Sequence, residues 1–120
     1  MKFICLKSAT KGTVWMTESG YPAIITNADI SKTYGLVISP SGSVNCVWNM
    51  NGINDSDLPT FYNIKHSPDS IEHRFAVIRS GSLMACCNSF EEAKGIAITN
   101  KAEIFCKFSE LTKFVDMSNE

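Results

Sequence analysis

A chain of 120 residues and 13.2 kDa, 44% hydrophobic and 19% charged, is long enough to bury about two-thirds of the surface its unfolded form exposes. It is too short for a second domain of ordinary size, so residues 1–120 are read as a single domain and a large multidomain enzyme is excluded. Eleven Lys+Arg against twelve Asp+Glu, with a pI near 6.1, give none of the cationic excess on which non-specific nucleic-acid binding depends.

The chain opens on a short apolar run, Phe3 to Leu6, between Lys2 and Lys7. It is too brief for a secretory signal core or a membrane span, and the expected location is the cytoplasm. Phe3–Lys7 reads as a strand, Lys11-Gly12 as a turn and Thr13–Thr17 as the return strand of a first hairpin. From Gly20 to Tyr34 the pattern is ambiguous and assigns no element. Gly35–Asn49, GLVISPSGSVNCVWN, is a second hairpin, in which Pro40 sets φ for a type I turn and Gly42 takes the left-handed position after it. In its return strand Val44, Cys46 and Trp48 share one side and Asn45 and Asn49 the other, the period-2 pattern of a half-buried strand.

Asn49 to His66 is the longest stretch without periodicity. Long ordered loops in small domains carry function more often than ordinary connections do. This one combines acids with apolar groups that read as exposed, and Ile53, Asp55, Asp57, Leu58, Phe61 and Tyr62 are the candidate partner-binding residues. Ser67-Pro68 then starts a short helical turn. Phe75–Ser89, FAVIRSGSLMACCNS, matches the second hairpin once a residue is dropped at Pro40, with a tighter two-residue turn at Ser80-Gly81. Phe75–Ile78 is apolar on both faces and is expected to be a central strand covered on each side.

Ser89-Phe90-Glu91-Glu92 has the form of a capping box and starts the main helix, about 90–99, with Phe90, Ala93 and Ala97 on its buried face. Gly95 in its interior suggests close packing on the sheet. Ile104, Cys106 and Phe108 alternate with Glu103 and Lys107 in a last strand. A final helical turn runs from Ser109 through Leu111, Phe114 and Val115. The fold expected is α+β: an antiparallel sheet of about six or seven strands built from successive hairpins, packed by the one main helix and short helical turns.

Chemistry is sparse. The five cysteines, Cys5, Cys46, Cys86, Cys87 and Cys106, leave one over under any disulfide scheme and lack the spacing of a zinc or redox motif, so they read as reduced core residues. Cys86 or Cys87 with His73 would make a Cys–His dyad only on paper, because a hydrophobic return strand does not stabilise a thiolate. Asp55 and Asp57 lack the rest of a calcium loop, and neither Ser-Gly-Ser turn opens a helix that could receive phosphate. No catalytic residue, metal or cofactor is assigned.

Trp15 and Trp48 read as core rather than as a stacking platform for RNA, and nucleic acid is not an expected partner. The expected function is therefore non-enzymatic binding of a macromolecular partner, with a protein the expected partner and no membrane involved. Nine lysines to two arginines, with abundant isoleucine, serine and asparagine, suggest an AT-rich genome and a phage-type accessory or anti-defence inhibitor. The alternative is a small-ligand or nucleotide binder with Lys65, Arg74 or Arg79 facing phosphate. Open hairpin edges leave homo-oligomer formation available.

Overall fold

The computed structural model describes residues 5–55 and 57–114. The chain is α+β, with antiparallel strands in two sheets and one main helix. The first sheet has five strands, β1 (Val14–Thr17), β2 (Pro22–Ala28), β3 (Thr33–Ser39), β4 (Gly42–Trp48) and β5 (Ile64–His66), in the order β4-β3-β2-β1-β5. The second has three, β6 (Phe75–Arg79), β7 (Ser82–Cys87) and β8 (Ile104–Lys107), with β6 in the middle. The helix α1 is Phe90–Asn100, and 3-10 turns cover Leu6–Ser8, Thr60–Tyr62, Pro68–Ile71 and Phe108–Lys113.

Side-chain alternation sorts these elements into layers. One face of the five-stranded sheet, with Trp15, Ala23, Ile25, Val37, Cys46, Trp48 and Ile64, is roofed by Leu6, Ala9 and Tyr62. The other face presents Val14, Met16, Ile24 and Ile38 to Ala76, Ile78 and Cys106 of the three-stranded sheet, with Phe108 and Leu111 sealing the same cluster. On the far side of that second sheet, Val77 and Cys87 lie under Ala93 and Ala97 of α1. Phe75–Ile78 thus belongs to a central strand covered on both faces, as its sequence requires.

The hairpins at β3–β4 and β6–β7 form as the turn chemistry predicts. Gly42 takes φ +115° after Pro40-Ser41, and Ser80 and Gly81 take φ +54° and +78°, both positive as a type I′ turn demands. Glu103 braces the second turn, its carboxylate accepting the Ser80 N–H at 2.8 Å.

Several elements differ from expectation. Among the described residues the antiparallel strands number eight, in two sheets where one sheet of about six or seven was expected, because the hairpins at β3–β4 and β6–β7 belong to separate sheets. The first hairpin does not form: β1 pairs with β2 on one edge and β5 on the other, which leaves no edge for an N-terminal strand. Leu6–Ser8 is instead a 3-10 turn tied down by the Leu6 N–H donating to Met50 O at 2.8 Å, while Phe3 and Ile4 lie outside the described residues. The ambiguous segment contains β2, which hides from alternation because Ala23, Ile24 and Ile25 are buried on both faces. Pro22 opens that strand, a position proline tolerates in a sheet.

Ser89 caps α1 by accepting the Glu92 N–H at 3.2 Å, and Lys101 ends it in the left-handed conformation. The last turn starts at Phe108, with Leu111 buried, and Val115 lies outside the described residues. Gly95 does not face the sheet: a Cβ built there meets nothing within 4 Å. Gly95→Ala is therefore expected to raise stability by about 0.5–1 kcal/mol through lower unfolded-state entropy, read as a higher urea midpoint at unchanged slope.

Candidate functional site

Among the described residues the loop from Asn49 to His66 is pinned by asparagine side chains. Asn54 Nδ2 donates to Asn63 Oδ1 at 2.8 Å and to Pro59 O at 3.1 Å, and Asn63 Oδ1 also accepts the Asn54 N–H at 2.8 Å. Asn49 Oδ1 accepts the amides of Asn51 and Ile53. These bonds fold the loop against the first sheet, where Trp48 bridges to Asn54 and the loop ends as β5. Such side chain to backbone bonds are what asparagine offers a turn.

The candidate partner-binding residues separate under this geometry. Tyr62 is buried, and its carbonyl accepts the Trp48 Nε1–H at 2.9 Å. Leu58 is half-buried, and Asp55 is exposed with an ion pair to Lys32 at 3.3 Å. Asp57 is exposed in the left-handed region at φ +58°. Ile53 and Phe61 remain as exposed apolar groups, and Phe61 packs edge-on against Tyr21 with centroids 6.3 Å apart. The tryptophans are core: Trp15 and Trp48 are both buried.

The three cations do not converge. Lys65 is exposed on β5, and Arg79 ends β6 while Arg74 precedes it, roughly 16 Å of strand apart. Arg74 lines a cleft between the β1–β2 turn and β7, which it shares with His66 and Cys86 but not with Lys65 or Arg79.

A larger apolar surface lies on the other side of the molecule, beside α1. Phe105 pairs across from Val77 and so faces the helix side of the second sheet, but α1 packs over β6 and β7 and leaves it partly uncovered. Phe90, the first residue of α1, overhangs the sheet end with its ring 6.1 Å from Phe75 and 5.6 Å from Phe105. Phe114 completes a groove of about 460 Å³. Phe90, Phe105 and Phe114 are 48%, 36% and 54% exposed, a large contiguous apolar surface to leave uncovered. Lys107, Glu110 and Lys113 edge the groove, with Glu110 held to Lys113 at 3.7 Å and accepting the Lys107 N–H at 3.3 Å.

The sequence carried part of the signal for this groove, and the expectation that Phe90 lies on the buried face of α1 is corrected. The alternation that turned Glu103 and Lys107 outward also turns out Phe105 between them, so that signal was present. Phe90 sits at helical spacing from the buried Ala93 and Ala97, and only its place at the end of the sheet exposes it.

Cys46, Cys87 and Cys106 are buried and Cys86 is half-buried, whereas Cys5, also expected in the core, is exposed. Desolvation pushes Cys46 and Cys106 up to about 11 and Cys86 up to about 12, with Arg74 opposing the shift at Cys86. Cys87 is raised by burial and by the Glu92 carboxylate beside it. Cys86 Sγ donates to Gly20 O at 2.9 Å, a bond that holds its proton. A raised folded-state pKa means the unfolded chain ionises first, so stability is fully present below about pH 9 and falls as pH rises toward 11–12. Urea midpoints measured from pH 8 to 10.5 are expected to fall, and replacing Cys46, Cys86 and Cys106 by alanine is expected to flatten that fall. A slope unchanged in the triple variant would refute this.

Among the described residues, no three His, Cys, Asp or Glu side chains come together in a way that could hold a metal ion, and no helix is long and apolar enough to cross a membrane. Compared with protein-family models, curated proteins and solved structures, the chain matches none.

Proposed function

We propose that this protein is a non-enzymatic binding protein that holds a protein partner in the phenylalanine groove beside α1. The observation that carries the reading is the contiguous set of exposed rings of Phe90, Phe105 and Phe114, backed by Phe75. Clustered aromatic side chains around a concavity are the anchors on which interface energy concentrates. Lys107 and Lys113 outnumber Glu110 at the rim, so the complementary segment carries an apolar side chain flanked by acid. Capture of this kind suits an accessory or inhibitory protein of the phage type that the lysine-rich composition suggests, acting in the cytoplasm.

The test compares three forms of the protein: the unaltered chain, Phe105→Glu with Phe114→Glu, and Ile53→Glu with Phe61→Glu. A protein captured from lysate by the unaltered chain is identified, purified and titrated against all three. The groove variant is expected to lose at least roughly 30-fold in affinity while the loop variant stays within about threefold. Equal affinity of the groove variant, or loss only in the loop variant, would overturn the reading. So would sedimentation that found the unaltered chain dimeric and the groove variant monomeric, since the groove would then be a self-interface.

A further inference from the structure

The cleft where the two sheets diverge is a separate feature from the phenylalanine groove. It encloses about 500 Å³, a size suited to a small molecule, between the β1–β2 turn and β7. Its walls are unlike those of the groove. Met16 and Leu83 line it with apolar side chains, and three residues that carry hydrogen-bonding side chains, Arg74, Tyr21 and His66, line the same space.

Arg74 is the decisive group. Its backbone is fixed at both ends, its N–H donating to Ile71 O at 2.9 Å and its carbonyl accepting the Phe108 N–H at 3.0 Å. The residue is half-buried, yet among the described residues no carboxylate lies within ion-pair distance of it. A partly desolvated guanidinium without an anion forgoes the charge-assisted, forked bonds for which its shape is suited. Tyr21 is also held in place, its ring against Phe61 at 6.3 Å and Tyr62 at 6.2 Å, and among the described residues its hydroxyl has no hydrogen-bond partner. The Cys86 thiol bond to Gly20 O ties the two walls together, so the cleft is built before any ligand arrives. One acid lines it, Glu18, which is exposed to solvent.

From this arrangement we infer that the inter-sheet cleft binds a small organic oxyanion, a carboxylate or phosphate ester on a compact apolar body, with Arg74 receiving the charged end. Tyr21 and His66 add hydrogen bonds to the same end, and Met16 and Leu83 pack the apolar body. Glu18 weakens the site slightly, as a like charge at its rim.

The two arginines of the chain make the test direct, because Arg79 lies outside the cleft and serves as an internal reference. Phenyl phosphate, benzoate and neutral benzyl alcohol are titrated into the protein while the Arg74 and Arg79 Nε–H resonances are followed by NMR. Phenyl phosphate, benzoate or both are expected to move Arg74 Nε–H in a saturable way and leave Arg79 unmoved, and which of them binds more tightly tells phosphate from carboxylate. Arg74→Gln is expected to weaken the binding at least roughly tenfold, and Glu18→Gln to strengthen it about twofold. Arg74→Lys keeps the charge without the fork and is expected to fall between. Equal shifts at both arginines, equal affinity in a folded Arg74→Gln, benzyl alcohol binding as tightly as the anions, or no saturable shift with either anion would each overturn the inference. If Arg74→Gln does not fold, the opposite signs expected for Glu18→Gln and Arg74→Lys decide it, and failure of either sign counts against the site. None of these outcomes depends on the phenylalanine groove.

Discussion

Gly35→Ala is expected to destabilise the protein by about 2–3 kcal/mol, the scale of overpacking in a close-packed core. A Cβ at this position would lie 2.5 Å from the carbonyl oxygen of Ile24 and 2.7 Å from Cζ3 of the Trp48 ring. Neither neighbour can retreat cheaply. Ile24 lies in β2, and moving its carbonyl opens the β2–β3 ladder, where Ile25 pairs with Gly35 and Ile24 with Leu36. Trp48 is fully buried among Cys46, Tyr62 and Ile64, and its Nε1–H is committed to Tyr62 O. Equilibrium urea unfolding measures the loss. Repeating it with Trp48→Phe in both backgrounds apportions the clash: a smaller penalty for Gly35→Ala beside the shorter phenyl ring points to the indole, and an equal penalty points to the backbone contact. A Gly35→Ala chain within about 0.5 kcal/mol of the unaltered one would show that the sheet yields here.

Phe108→Ala is expected to cost more, about 3–5 kcal/mol, as for other fully buried phenylalanines. Phe108 follows β8, is fully buried, and belongs to the cluster in which Val14, Met16, Ile24 and Ile38 of the first sheet meet Ala76 and Ile78 of the second. Its backbone N–H donates to Arg74 O, which limits how far the chain can shift to fill the space the ring leaves. Because one cluster serves both sheets, they are expected to unfold together. Calorimetry should record one transition whose midpoint falls by more than about 10 °C. A second, separate transition in the variant, with one sheet unfolding at its original temperature, would contradict the shared core.

How far this structure can be read from the sequence differs from element to element, and the difference has a physical basis. Ser80-Gly81, Pro40-Ser41-Gly42 and Ser89 to Glu92 were legible because a turn or a cap is decided by residues a few positions apart, through φ preference and short-range hydrogen bonds. The alternation in β4 and β8 was legible because one face of each is uncovered. β2 was not, since covering both faces removes the alternation that marks a strand. β5 was hidden in a loop because three residues are too few to show a period, and its existence rests on a free edge of β1 that the sequence does not reveal. Of the residues proposed for binding from sequence, the structure leaves Ile53 and Phe61 exposed, draws Tyr62 into the core, and puts Arg74, but not Lys65 or Arg79, in the cleft between the sheets.

The 120 residues, near-neutral and hairpin-rich, determined the α+β class, the tight turns and the capped helix by local rules alone. The tertiary structure decided how the hairpins divide into two sheets and which phenylalanines stay outside. It also decided that Arg74, with no carboxylate partner among the described residues, lines the cleft between the sheets. Those outcomes depend on which edges and faces meet, and contacts between residues distant along the chain leave no period in the sequence that joins them.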